Sequence, residues 1–72
     1  MDDIQEKLRV LLDYWIEHNS EHEQEFRDWA DKLGSRSTDV AQQLREAAAK
    51  MGAASAELMK AKQALTESKE RQ

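Results

Sequence analysis

No proline occurs in these 72 residues, and the one clear break signal, Gly34-Ser35-Arg36-Ser37, stands almost at the midpoint. Glycine suits the left-handed residue that closes a helix, and serine suits the N-cap that opens the next. Two long segments with so short a connection come back alongside each other as antiparallel neighbours. The chain therefore reads as all-α, a coiled-coil-like two-helix hairpin forming one domain over 1–72. A helix is expected over about 3–33, a turn at 34–37 and a second helix over about 38–69.

The second segment has the clearer period. Val40, Leu44, Ala47, Met51, Ala54, Leu58, Ala61 and Leu65 are spaced alternately by four and three, a heptad seam of large residues alternating with alanines. Ala48 and Ser55 widen it with further small side chains. In the first segment Ile4, Leu8, Leu11, Trp15, His18, His22, Phe26, Trp29 and Leu33 lie on one slowly drifting stripe, broadened by Leu12 and Ile16. Acid-before-base pairs such as Glu23–Arg27 and Asp28–Lys32 support helix at i,i+4. Asn19-Ser20 is the weak point. Ser20-Glu21-His22-Glu23 fits a capping box that would start a third helix. The stripe passes through without a jump of phase, which favours one continuous helix.

Folding about the turn sets Trp29 and Phe26 near Val40, Leu44 and Ala47, Trp15 near Leu58, and Leu8 near Ala61 and Leu65. A chain this short buries too little surface to stand without help, and with no cysteine a disulfide is excluded as that help. A metal held without thiolates, or self-association, remains, and self-association is the default. The expected interface comprises Leu8, Leu11, Leu12, Trp15, Ile16, Phe26 and Trp29 from the first helix, with Leu44, Met51, Leu58 and Leu65 from the second. Two hairpins related by a twofold axis would complete a four-helix bundle.

Charge narrows the partners. Residues 1–33 carry a net −6 and residues 34–72 a net +2, which helps one half pack on the other. No basic face is dense enough to neutralise phosphates, so nucleic acid is not expected as a partner. Nor is a membrane, because no apolar run reaches spanning length. The acidic start Met1-Asp2-Asp3 lacks the basic region of a signal peptide, and the expected location is cytoplasmic.

Glu17-His18-Asn19-Ser20-Glu21-His22-Glu23-Gln24-Glu25 is the one constellation with chemical potential. Histidines four apart share a helix face within reach of one metal ion. Glu21 and Glu25 follow them by three residues, as oxygen ligands or as acceptors that orient the rings. Two such pairs meeting at a dimer axis would supply four nitrogens to zinc, nickel or cobalt. The pattern is neither the zinc-protease H-E-x-x-H nor the Glu-x-x-His order of di-iron bundles. The plainer reading makes His18 and His22 seam residues, hydrogen-bonded to Glu17, Glu21, Glu25 or Ser55 and fixing register. A third makes them a pH switch in a helical interface. No cofactor is certain. No nucleophile–base pair or phosphate loop can be placed, so no enzyme is expected.

The run from Leu11 through Trp15-Ile16-Glu17-His18-Asn19-Ser20-Glu21-His22, followed by Glu25-Phe26 and Trp29-Ala30, resembles a signature of small uncharacterised prokaryotic helical domains. That pattern is W-I-E-H-N-x-E-H, then E-F-x-x-W-A, a glycine turn and an Ala/Leu-rich second helix. The resemblance implies the hairpin and singles out His18, Asn19, Glu21 and His22 without assigning them a task. The function expected first is a non-enzymatic interaction module that homodimerises. The alternatives are a small metal-binding protein using the His18/His22 pair, and a heterotypic adaptor that completes another helical protein's bundle.

Overall fold

The computed structural model describes the backbone of residues 3–70 and the side chains of residues 3–67. It has two helices, α1 (Asp3–Leu33) and α2 (Thr38–Glu70), packed along their length as an antiparallel hairpin of 55 × 15 × 11 Å. α1 runs through Asn19-Ser20 without a break, so the capping box does not start a third helix. Continuous packing against α2 outweighs two weak helix formers.

The turn works by backbone geometry. Gly34 has φ +54°, and its N–H donates to the carbonyl of Ala30 at 3.3 Å, the bond that closes a helix on a left-handed residue. Arg36 N–H then donates to Leu33 at 2.9 Å, and the Ser37 carbonyl accepts the first bond of α2 from Ala41 at 3.0 Å. A Cβ on Gly34 would meet nothing closer than 3.9 Å. The glycine is there for its φ, not for space.

The seam between the helices lies one residue later along α1 than the bulky stripe suggests. Its positions are Gln5, Arg9, Leu12, Ile16, Asn19, Glu23, Phe26, Ala30 and Leu33, all buried or half-buried and spaced by four and three. On α2 the large positions are Leu44, Met51, Leu58 and Leu65, and the small ones are Ala41, Ala48 and Ser55, followed by Lys62. Ala54 and Ala61 are exposed, as are Leu8, Leu11, Trp15, Trp29 and Val40. The physical reason is width. Ala30, Ala41 and Ala48 let the backbones approach, and a seam that narrow has no room for indole rings. Levels along the axis are set by Asp31–Arg45, Glu23 against Gly52, and Asp13–Lys62. They place Trp15 at the height of Leu58, on the flank rather than inside.

The two flanks differ. Heptad lettering makes Arg9, Ile16, Glu23 and Ala30 the a positions of α1, and Ala41, Ala48, Ser55 and Lys62 those of α2. Antiparallel pairing sets e beside e and g beside g. The e flank is mostly polar, although Met59 stands exposed on it, and it is laced across by Asp13–Lys62 and by Asp31–Arg45 at 3.1 Å, while Arg27 pairs with Glu23 at 3.3 Å within α1. The g flank carries Leu8, Trp15, His22 and Trp29 from α1, and Val40, Ala47, Ala54 and Ala61 from α2. Ile4 and Leu11 extend it at the neighbouring c positions. Ile4 is 72% exposed, Trp29 58% and Trp15 39%. Lys32 lies over the Trp29 ring at 4.4 Å, covering part of it with a cation–π contact instead of pairing with Asp28.

Candidate functional site

His18 and His22 stand one turn apart on α1, so their rings project side by side. Their Nε2 atoms are 3.0 Å apart, and Nδ1 of His22 is 2.8 Å from Oε1 of Glu25. Glu25 as a carboxylate only accepts, so His22 donates from Nδ1. In a neutral pair His22 Nε2 is then the acceptor and His18 Nε2–H the donor. The result is a hydrogen-bonded chain from His18 through His22 to Glu25.

Two further rings hold this chain. Tyr14 stacks on His18 with centroids 5.4 Å apart and planes 13° off parallel. The histidines meet edge to face at 4.4 Å and 84°. Phe26 lies nearly parallel to His22 at 6.1 Å. Each step of four residues advances about 40° beyond a full turn. The ladder Tyr14–His18–His22–Phe26 thus winds from the outer surface, across the open g flank, to the seam. Phe26 anchors it there, half-buried at the level of Ala48.

Of the acids singled out with the histidines, only Glu25 is hydrogen-bonded to them among the described residues. Glu21 lines a shallow surface depression with Tyr14, Glu17 and His18. Ser55 takes no part. Its hydroxyl is on the seam, 8% exposed as a residue, with no hydrogen-bond partner among the described residues. His18 is exposed and His22 is half-buried at a g position, so both lie beside the seam rather than in it. Among the described residues no three or more His, Asp or Glu side chains converge in metal-binding geometry. One chain presents two nitrogens.

Residues 8–65 match the model of a family described as a domain of unknown function, DUF8180. The chain belongs to that family. An uncharacterized protein of Archaeoglobus fulgidus is 44% identical over 45 residues, which are 62% of this chain and 73% of the relative. Kinship with small uncharacterised prokaryotic domains, implied by the signature around the histidines, therefore holds. No solved structure matches.

The span matched to DUF8180 takes in the turn, the histidine ladder and both tryptophans. The DUF8180 hairpin divides the expected interface residues between two places. Leu12, Ile16, Phe26, Leu44, Met51, Leu58 and Leu65 lie in the intrachain seam, while Leu8, Leu11, Trp15 and Trp29 lie on the open flank.

Glu23 is a residue that sequence reasoning misses. It occupies a seam position, with its carboxylate against Gly52: a Cβ there would lie 3.2 Å from Oε2 and 3.3 Å from Oε1. Arg27 donates to the same carboxylate. A glycine in mid-helix costs about 1 kcal/mol relative to alanine. That cost is the available signal that something approaches closely there. No helix among the described residues is long and apolar enough to cross a membrane.

Proposed function

We propose that this chain is a non-enzymatic helical-hairpin module that pairs with a second copy of itself through the g flank, giving a four-helix bundle. The observation that carries this reading is the contrast between the flanks. One is bridged by ion pairs, while the other leaves Leu8, Leu11, Trp15 and Trp29 exposed beside Val40.

Area supports it. The chain exposes 5556 Å², where a folded monomer of this mass exposes roughly 4,600 Å². The excess of about 1,000 Å² is comparable to the ~800 Å² that each partner buries in a standard stable interface. Only Leu12, Ala30, Ala41, Ala48 and Ser55 are buried among the described residues, a core too thin to account for stability alone. Charge supports a like partner too, because the acidic first half of one copy complements the basic second half of another. A cytoplasmic location belongs to the same reading.

Sedimentation velocity of the full chain, in buffer containing EDTA, tests it. The expected species has twice the 8.3 kDa chain mass at micromolar concentration. Trp15→Glu and Trp29→Glu are expected to abolish the dimer and lower the helix content with it, while Val10→Glu, on an exposed position away from the flank, stays dimeric and helical. A wild-type chain that remains monomeric refutes self-pairing and leaves the heterotypic adaptor as the better reading.

A further inference from the structure

We infer that His18 and His22 are half of a zinc-type metal site, completed by the same two residues of a second copy. The inference rests on the self-pairing proposed above and adds a ligand to that interface.

Three observations converge on it. The first is a distance. Metal–imidazole bonds of 2.0–2.1 Å place two nitrogens on one ion about 2.9 Å apart at a right angle and about 3.4 Å apart at the tetrahedral angle. The Nε2 atoms of His18 and His22 are already 3.0 Å apart, along a hydrogen bond, so the nitrogens are within chelating distance and the rings need only turn until both lone pairs meet on the ion. The second is the outer partner. A metal-binding histidine characteristically gives its other N–H to a carboxylate, which fixes the tautomer and strengthens the ligand. His22 does this through Nδ1 to Glu25 at 2.8 Å, leaving Nε2 with its lone pair free of a proton. His18 becomes the second ligand once its proton sits on Nδ1 instead of Nε2, a change of tautomer with no change of charge. The stacked Tyr14 and Phe26 rings restrain both imidazoles from either end.

The third observation is placement. The pair lies on the flank proposed to meet a second copy, and residue 18 is the middle of α1, which spans Asp3–Leu33. A twofold axis crossing the helices near that midpoint brings the two pairs together, because a symmetric interface matches a patch with itself. Among the described residues one chain offers only two converging nitrogens, which leaves the rest of a tetrahedral shell to the other copy. The two Glu25 carboxylates would offset the charge of a divalent ion. Four neutral imidazoles suit zinc, with cobalt as its coloured stand-in.

The test uses the full chain without a histidine tag. Zinc chloride is titrated calorimetrically, cobalt is followed by visible absorption, and mass is measured in EDTA and in zinc. One zinc per two chains is expected, with the intense cobalt bands of a tetrahedral site. His22→Ala is expected to abolish uptake. Glu25→Gln, which keeps both nitrogens, should weaken it about 10–100-fold. Glu17→Gln, beside His18 but outside the hydrogen-bonded chain, should leave it unchanged. All three positions are on the surface, so helicity by circular dichroism should not change.

Zinc uptake no greater than that of the His18→Ala/His22→Ala double variant overturns the site, as does one zinc per chain on a monomer. A dimer in EDTA that takes no zinc overturns the metal site and leaves self-pairing intact. A chain that is monomeric in EDTA and pairs only in zinc supports the site and removes metal-free pairing.

Discussion

Replacing Ser55 by alanine is expected to stabilise the hairpin. Ser55 holds a small seam position between Ala48 and Lys62, at the level of Asn19, and its hydroxyl has no partner among the described residues. Leaving a buried polar group unpaired costs about 1–3 kcal/mol. Serine is also the poorer helix former, by about 0.5 kcal/mol relative to alanine. The variant loses one oxygen's packing contacts, a few tenths of a kcal/mol. The net expectation is a gain of about 1–3 kcal/mol, at about 4–8 °C in Tm per kcal/mol for a chain of this size. Thermal unfolding followed by circular dichroism measures it. Wild type and variant must be compared at equal chain concentration, since association shifts the midpoint. An unchanged or lower Tm would refute the reasoning. The hydroxyl would then be hydrogen-bonded, and the Asn19–Ser55 level would be a satisfied polar layer.

Leu12 is the largest buried side chain among the described residues, and Leu12→Ala should cost about 2–4 kcal/mol in urea unfolding; a loss below about 1 kcal/mol would show a seam able to collapse around the gap. Gly52→Ala sets a helix-propensity gain of about 1 kcal/mol against displacement of the Glu23 carboxylate. Glu23 can swing away because only its flexible end is close, so a net gain of about 0.5 kcal/mol is expected. Destabilisation would mean that Glu23 is held rigidly. The Asp13–Lys62 pair is partly exposed, so a double-mutant cycle should give less than about 1 kcal/mol, shrinking as salt is raised. A larger, salt-independent coupling would contradict the solvent screening assumed for it.

The turn and the levels along the axis are legible in the residues alone. Gly34 is the one glycine beside serines, and counting outward from it sets Trp15 level with Leu58. The large α2 positions Leu44, Met51, Leu58 and Leu65 are legible for a related reason, a strict heptad. The rotation of α1 is not. Its apolar residues form two stripes one residue apart, sharing Phe26 and Leu33, and the inner stripe is diluted by Gln5, Arg9, Asn19 and Glu23. Bulk draws attention to the outer stripe, yet burial follows how closely two backbones approach, which alanine and serine decide. The same rotation takes the histidines off the seam and onto the flank. Their mutual reach follows from a four-residue spacing alone, whereas Glu25 is one of four candidate partners and Ser55 faces elsewhere.

The unlike edges of the hairpin have a consequence for how far assembly can go. A rod oily along both sides would add neighbours indefinitely and grow into sheets or fibres. Here the edge laced by Asp13, Lys62, Asp31 and Arg45 presents charge to any newcomer, so each rod has one sticky side to spend. When two copies press those sides together, the apolar side chains still facing outward, such as Val10, Tyr14 and Met59, are scattered rather than joined in a patch, and growth stops at a pair.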